Sequence, residues 1–415
     1  MRNKDDSTKT DHLTACAAAA GASARLEFFA GDLLTEGDYD AAFSGADAVV
    51  HTAAVVAIQS KNPERDIVEP SMKGTRNMLA SADRSGTVKR VVHTSSVAAI
   101  QSYDNGAEYV FTEKDEATWS TVARGDPYGY AKLGAERLVR EHVAAGGKTY
   151  DCCLINPVVV FGPCMTKVRE RCESTAPAHF AFAKCVVSSP LQQPLTLLWA
   201  AQAHTKASPS FLRDFLFGNA KPDAWISVVD VREVSKAHLL ALQKPEAAGQ
   251  RFIIARDDSA ARLSSLATAT VKALPEYAIK PRMTPSWQVS LFLNWHWLGA
   301  ALVAGGVGGI VAWTRASILP SSASGVIGAV LLGILYRFAP KPYLKKVLQT
   351  EIRFDAEKSR AELGLAYRPL EETLRDTAKS MVQEGWVKLK QRKGKGDPAG
   401  AAAAEETQPL KSGAS

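Results

Sequence analysis

Several signals are missing from this sequence. The opening stretch "MRNKDDSTKTDHL" is polar and charged with no apolar run behind it, so no secretory signal is expected there. Cysteine is scarce: Cys16, Cys152, Cys153, Cys164, Cys172 and Cys185 include one adjacent pair, show no regular disulfide spacing and form no C-x-x-C. That pattern argues against a disulfide framework and points to reduced thiols in an intracellular compartment. Cys172, His179 and Cys185 match no usual zinc spacing, so no metal site is expected. Nor is positive charge spread widely. The formal charge of +7 is concentrated at Lys388, Lys390, Arg392, Lys393 and Lys395, which leaves the rest near neutral and argues against a nucleic-acid partner.

The chain does have ample material for a core: 415 residues, 46% hydrophobic and 22% charged, enough for one large domain or two modest ones. From Arg25 to about Ala255, short apolar runs alternate with amphipathic stretches. "RLEFFAGD", "ADAVVHTAA", "VKRVVHTSS" and "YDCCLINPVVVFGP" read as strands, with helices over "EPSMKGTRNMLASADRSG" and "YGYAKLGAERLVREHVAAGG" between them. This alternation implies an α/β fold with a doubly wound, mostly parallel sheet of Rossmann type, whose ligands bind beyond the carboxyl ends of the strands.

Residues 283–314 and 316–336 contain no Asp, Glu, Lys or Arg, and each run is long enough to cross a bilayer core of about 30 Å. Lys280 and Arg282 precede the pair and Arg337, Lys341, Lys345 and Lys346 follow it, while Trp287, Trp295, Trp297 and Trp313 lie near the segment ends. These flanks lead us to expect a membrane hairpin with both ends cytosolic, of endoplasmic-reticulum type. Buried helices of a soluble cytoplasmic lobe are the alternative. From Lys388 the composition is that of a disordered basic tail.

Two features carry chemistry. "VKRVVHTSS" ends in the hydroxyls of Thr94, Ser95 and Ser96, and "DPYGYAKLGAERL" sets Tyr128 and Lys132 one helical turn apart on one face. A phenol with a pKa near 10 is a poor proton carrier at neutral pH, and a neighbouring ammonium would lower it. The plainer alternative is a turn-capping serine, a half-buried tyrosine and a solvated lysine.

Read together, "GDLL", "VVHTAA", "KGTRNML", "RVVHTSS", "YGYAK", "INPVVVFGP" and "WISVVDVREVSKAHLLAL" resemble the extended short-chain dehydrogenase/reductase family, over roughly residues 1–255. The likeness is strongest to its dihydroflavonol and cinnamoyl-CoA reductase branch, with kinship to 3β-hydroxysteroid dehydrogenases, and it resumes at "FDAEKSRAELGLAYRPLEETL". The resemblance implies a Rossmann-like domain over 1–163 and a substrate lobe over 164–282 with an insertion at 165–203. It places the rest of the lobe at 338–387, after the hydrophobic pair that composition marks at 283–337 and before the tail at 388–415.

By the same resemblance Tyr128 is the general acid, Lys132 its partner and a ligand of the nicotinamide ribose, and Ser96 the hydroxyl that polarises the substrate carbonyl, with Ser95 as fallback. Asp32 and Leu33 would hold adenine, Thr52 and Ala53 the diphosphate and ribose, and Pro157 and Val160 the nicotinamide. Arg2 and Lys9 match the spacing of residues that contact the 2′-phosphate of NADP, so NADP is expected, with NAD as the alternative.

The sequence also departs from the family. The turn G-x-x-G-x-x-G, expected upstream of Arg2, is absent, which suggests an N-terminally truncated product. Ser71 stands where many members carry asparagine. The implied reaction moves a hydride between NADP(H) and a hydrophobic ketone or alcohol of flavonoid, phenylpropanoid or sterol type. Sugar epimerase or dehydratase chemistry, and a non-catalytic binding protein that has lost its cofactor loop, are the other readings.

Overall fold

A computed structural model describes residues 4–55, 60–106, 108–164, 183–185, 213, 223–256, 260–281, 284, 286 and 342–390. Its centre is a four-stranded parallel sheet in the order β10-β5-β3-β2, formed by β2 (Ala48–His51), β3 (Arg90–Thr94), β5 (Asp151–Pro157) and β10 (Arg251–Ile254). The alternation of β5 explains why these strands read as unbroken apolar runs. Cys152 and Leu154 pack toward Met78, Leu79 and Val139 on α3 (Glu69–Ser85) and α4 (Pro127–Ala144). Cys153 and Ile155 face the other way, toward Val234 and Ala237 on α5 (Val231–Gln243). A sheet covered on both faces needs apolar residues at successive positions.

The helix boundaries have local causes. Pro127 occupies the first turn of α4, where its missing N–H costs nothing, and the Asp126 carboxylate caps the helix by accepting from Gly129 N at 2.9 Å. α3 stops at Gly86, whose φ of 62° is left-handed backbone that glycine adopts without strain. α5 is capped by Asp230, which accepts from Arg232 N at 2.8 Å.

A second core lies beside the first. β6 (Val159–Phe161) pairs in parallel with β9 (Val228–Asp230), and Phe161 and Val228 pack with Leu266 of the helix Leu263–Ala273 and with Leu374 and Met381 of the helix Leu370–Gln383. The two cores are joined at Arg232, whose guanidinium meets Asp230 at 2.8 Å and Asp376 at 2.7 Å.

Two expectations need correction or relocation. "RLEFFAGD" shrinks to β1 (Leu26–Phe28), which pairs antiparallel with β7 (Ala183–Cys185) rather than joining the parallel sheet. The expected transmembrane hairpin is withdrawn, because no described helix is long and apolar enough to cross a membrane. The longest, α4 with 18 residues, carries Lys132, Glu136, Arg137, Arg140 and Glu141, charges that a bilayer core would penalise. Of the expected hairpin at 283–337, all but residues 284 and 286 lie outside the described residues, as do 391–415 of the tail and most of 165–203.

Candidate active site at the carboxyl edge of the sheet

Parallel pairing sets His51 beside His93 and Thr94 beside Ile155, so the residues that follow β2, β3 and β5 emerge at one edge. Thr52 and Ala53 follow β2, Ser95 and Ser96 follow β3, and Pro157 closes β5. α4 starts over this edge. Ser96 has extended backbone (φ −165°), and its hydroxyl caps the following turn by accepting from Ala98 N at 3.2 Å.

The Ser96 hydroxyl lies close enough to the Tyr128 hydroxyl to favour its ionised form. Lys132, which is buried, donates from Nζ to the Thr94 carbonyl at 3.2 Å and lies 5.9 Å from the centre of the Tyr128 ring. The structure thus brings the sequence trio together, and Ser96 rather than Ser95 is the serine whose hydroxyl acts on the tyrosine. Ser95 is buried, and its Oγ has no hydrogen-bond partner.

The electrostatics differ from the sequence expectation. Tyr128 is pushed up to about 12: burial disfavours the phenolate, the hydrogen bond from Ser96 opposes the rise, and the Asp126 carboxylate adds to it. Lys132 is pulled down to about 8 by burial, against which the Glu136 carboxylate acts. The phenol is therefore protonated at neutral pH and the amine largely charged.

Below the pair, the rings of His51 and His93 stack with their Nδ1 atoms 3.0 Å apart, and the His238 Nε2 meets the Thr94 hydroxyl at 2.6 Å. Burial drives all three imidazoles neutral, His51 to about 3 and His238 to about 4. A contact between two neutral Nδ1 atoms requires opposite tautomers, one donating and one accepting.

The other sequence candidates fall in different places. Asp32 is built into its own turn: its N–H donates to the Asp38 carboxylate at 2.8 Å and its Oδ1 accepts from Leu34 N at 2.9 Å. Leu33 lies against α3, where a Cβ on Gly74 would come within 2.3 Å of its Cγ, and its carbonyl accepts from Asn77 at 2.9 Å. Val160 sits on β6, outside the central sheet. Arg2 lies outside the described residues, and Lys9 is in α1 (Ser7–Ala19) with its side chain likewise outside them. Tyr130 is exposed and lines a separate cleft of about 580 Å³ with Arg65, Lys73 and Arg76.

Sequence reasoning overlooked Asn156, Glu136 and Arg251. Asn156 stood inside the quoted "INPVVV", and Glu136 repeats the helical spacing one turn past Lys132. Arg251 offered no local signal, because its partners are distant in the chain.

Gly129 makes the trio's entry turn possible. A Cβ there would lie 2.4 Å from Asp126 Oδ2, 2.7 Å from Ser120 Oγ and 3.0 Å from the Ala98 carbonyl. Gly129→Ala is therefore expected to destabilise the fold by about 1–3 kcal/mol, the cost of overpacking. Urea unfolding tests this, and an unchanged midpoint would mean that the 120–126 turn yields freely.

A model of the 3-beta hydroxysteroid dehydrogenase/isomerase family matches residues 5–214. The chain belongs to that family. As a member it is an NAD(P)-dependent oxidoreductase of the extended short-chain dehydrogenase/reductase type. The dehydrogenase is 31% identical over 261 residues to cinnamoyl-CoA reductase CAD2 of Medicago truncatula, covering 62% of this chain and 67% of that one. It is also 31% identical over 304 residues to cinnamoyl-CoA reductase 1 of Petunia hybrida, covering 69% and 74%. Its fold is similar to that of Gre2 from Candida albicans in complex with NADPH, with TM-score 0.53, 19% identity and coverage of 85% and 82%.

Against a dinucleotide, the residues present fit one half well. Lys132, Tyr128 and Thr52 converge on one edge, and the buried Ser95 hydroxyl there lacks a partner. For the diphosphate half, no glycine-rich turn precedes the first strand among the described residues.

Proposed function

We propose that this dehydrogenase is an NADPH-dependent reductase of a hydrophobic carbonyl compound of phenylpropanoid or flavonoid type, with Tyr128 as general acid. Lys132, anchored to the Thr94 carbonyl and set beside the Tyr128 ring at the strand end that carries Ser96, is the observation that carries this reading. The bound nicotinamide supplies the hydride. In the reading proposed here, Ser96 and Tyr128 present two hydroxyls to the substrate oxygen, and Tyr128 gives its proton to that oxygen as negative charge develops there. The neighbouring Lys132 ammonium then stabilises the phenolate.

Because Tyr128 is held protonated, the resting site suits reduction better than oxidation at neutral pH. Lys132 and Tyr128 would hold the nicotinamide ribose, while Thr52, Ala53 and Pro157 would border the cofactor at the ends of β2 and β5. A sterol ketone is the second reading, favoured by the family match over residues 5–214.

The test is NADPH oxidation by the purified protein with cinnamoyl-CoA thioesters, flavonoid ketones and 3-oxosteroids offered in parallel. Turnover is expected with the phenolic carbonyls. Turnover confined to the steroids would replace the substrate class, and failure to bind either NADPH or NADH would sink the reductase reading.

A further inference from the structure

Behind the Ser96, Tyr128 and Lys132 face lies a buried polar group that the proton transfer does not use. Glu136 is 0% exposed and sits one turn beyond Lys132 on α4. A carboxylate so placed is costly unless matched, and here one oxygen is hydrogen-bonded while the other faces a guanidinium as an ion pair without an aligned hydrogen bond. Asn156 Nδ2 donates to Oε1, and Arg251 Nη2 stands 2.8 Å from Oε2.

The same Asn156 amide donates to the Ser96 carbonyl at 3.0 Å. Both of its partners are pure acceptors, so the orientation of the amide is fixed by chemistry. Arg251 is itself anchored: Nη1 donates to the Glu113 carbonyl at 2.8 Å and to the Asp115 carbonyl at 2.9 Å. A buried ion pair contributes little net stability compared with apolar packing, so stability alone does not explain a charge at this position.

We propose that Glu136 is a positioning residue: through Asn156 it fixes the strand end that carries Ser96, and its negative charge, locked by Arg251, holds the Lys132 ammonium in the site. The inference rests on the roles given above to Ser96, Tyr128 and Lys132. Around Lys132 stand Tyr128 and Glu136 on its own helix, the Thr94 carbonyl and His93 on β3, and His51 on β2. With the imidazoles neutral, Glu136 is the carboxylate that acts on Lys132.

Glu136→Gln keeps an oxygen for Asn156 but removes the charge. The expected result is a kcat about a hundredfold lower, the scale of a misplacement of about 1 Å, with the KM for NADPH unchanged. The alkaline limb of kcat/KM should move to lower pH. Competitive labelling with acetic anhydride should show Lys132 becoming reactive at lower pH than in the wild type. Glu136→Asp, which keeps the charge at shorter reach, should restore the labelling profile.

A folded Glu136→Gln protein whose Lys132 labels as in the wild type would overturn the proposal. Should that variant fail to fold, Asn156→Ala decides: a reduced kcat with unaltered Lys132 labelling supports the proposal, and an unchanged kcat refutes it. Labelling needs neither cofactor nor substrate. A wild type without turnover would therefore sink the reductase reading while the Lys132 profile still judges Glu136.

Discussion

Tyr128→Phe is expected to lower kcat for carbonyl reduction by about a thousandfold, within the roughly 10²–10⁴ that general acid–base catalysis supplies, while NADPH binding is spared. The substitution removes one oxygen and keeps the ring, so the packing of α4 over the sheet edge is preserved. What disappears is the proposed proton donor beside the Ser96 hydroxyl. Steady-state kinetics with fluorescence titration of NADPH separates the two effects. Full activity in this variant would remove Tyr128 from the chemistry, and loss of NADPH binding would make it a cofactor ligand first.

Arg251→Met should cost about 3–5 kcal/mol, because it leaves the Glu136 carboxylate buried without its partner. For a protein of this size that corresponds to a fall of roughly 3–6 °C in Tm. The same change also strips the Glu113 and Asp115 carbonyls of their shared donor. Calorimetry of Arg251→Met against Arg251→Met/Glu136→Leu checks the cause. The double variant should recover much of the loss, since it no longer buries an unmatched charge; equal Tm values for the two would show that packing, not charge, governs the site.

Much of the central fold was legible because it obeys local rules. "VKRVVHTSS" and "YDCCLINPVVVFGP" became strands where apolar runs and β-branched residues demanded them, and the helix of Tyr128 begins at the Asp126-Pro127 pair that any capping argument would select. The nearness of Ser96, Tyr128 and Lys132 was readable in the same way, as a strand end followed by a four-residue spacing. The desolvation of Tyr128 was not. An ammonium nearby suggested a lowered pKa, but the sequence does not reveal that burial, reinforced by the Asp126 carboxylate, raises it instead. The membrane reading rested on apolar length and on basic and tryptophan flanks, and no described helix sustains it. Arg251 and Asn156 stayed hidden for another reason: their partners come from other segments of the chain, beyond the reach of any periodicity.

That separation bears on how the protein is made. Arg90 on β3 donates to the carbonyls of Ala241 at 2.8 Å and Lys244 at 2.5 Å, and Arg251 reaches back to Glu136 and to the 113–115 segment. During synthesis Tyr128 and Lys132 leave the ribosome long before Arg251 does. Until then Glu136 lacks its Arg251 counter-charge, and the helix that carries Tyr128 lacks one of its long-range anchors. Contacts this remote in sequence close late and slowly. A nascent chain halted before residue 251 would present Ser96, Tyr128 and Lys132 with a buried carboxylate still unmatched, so the carboxyl half supplies the charge on which a helix of the amino half depends.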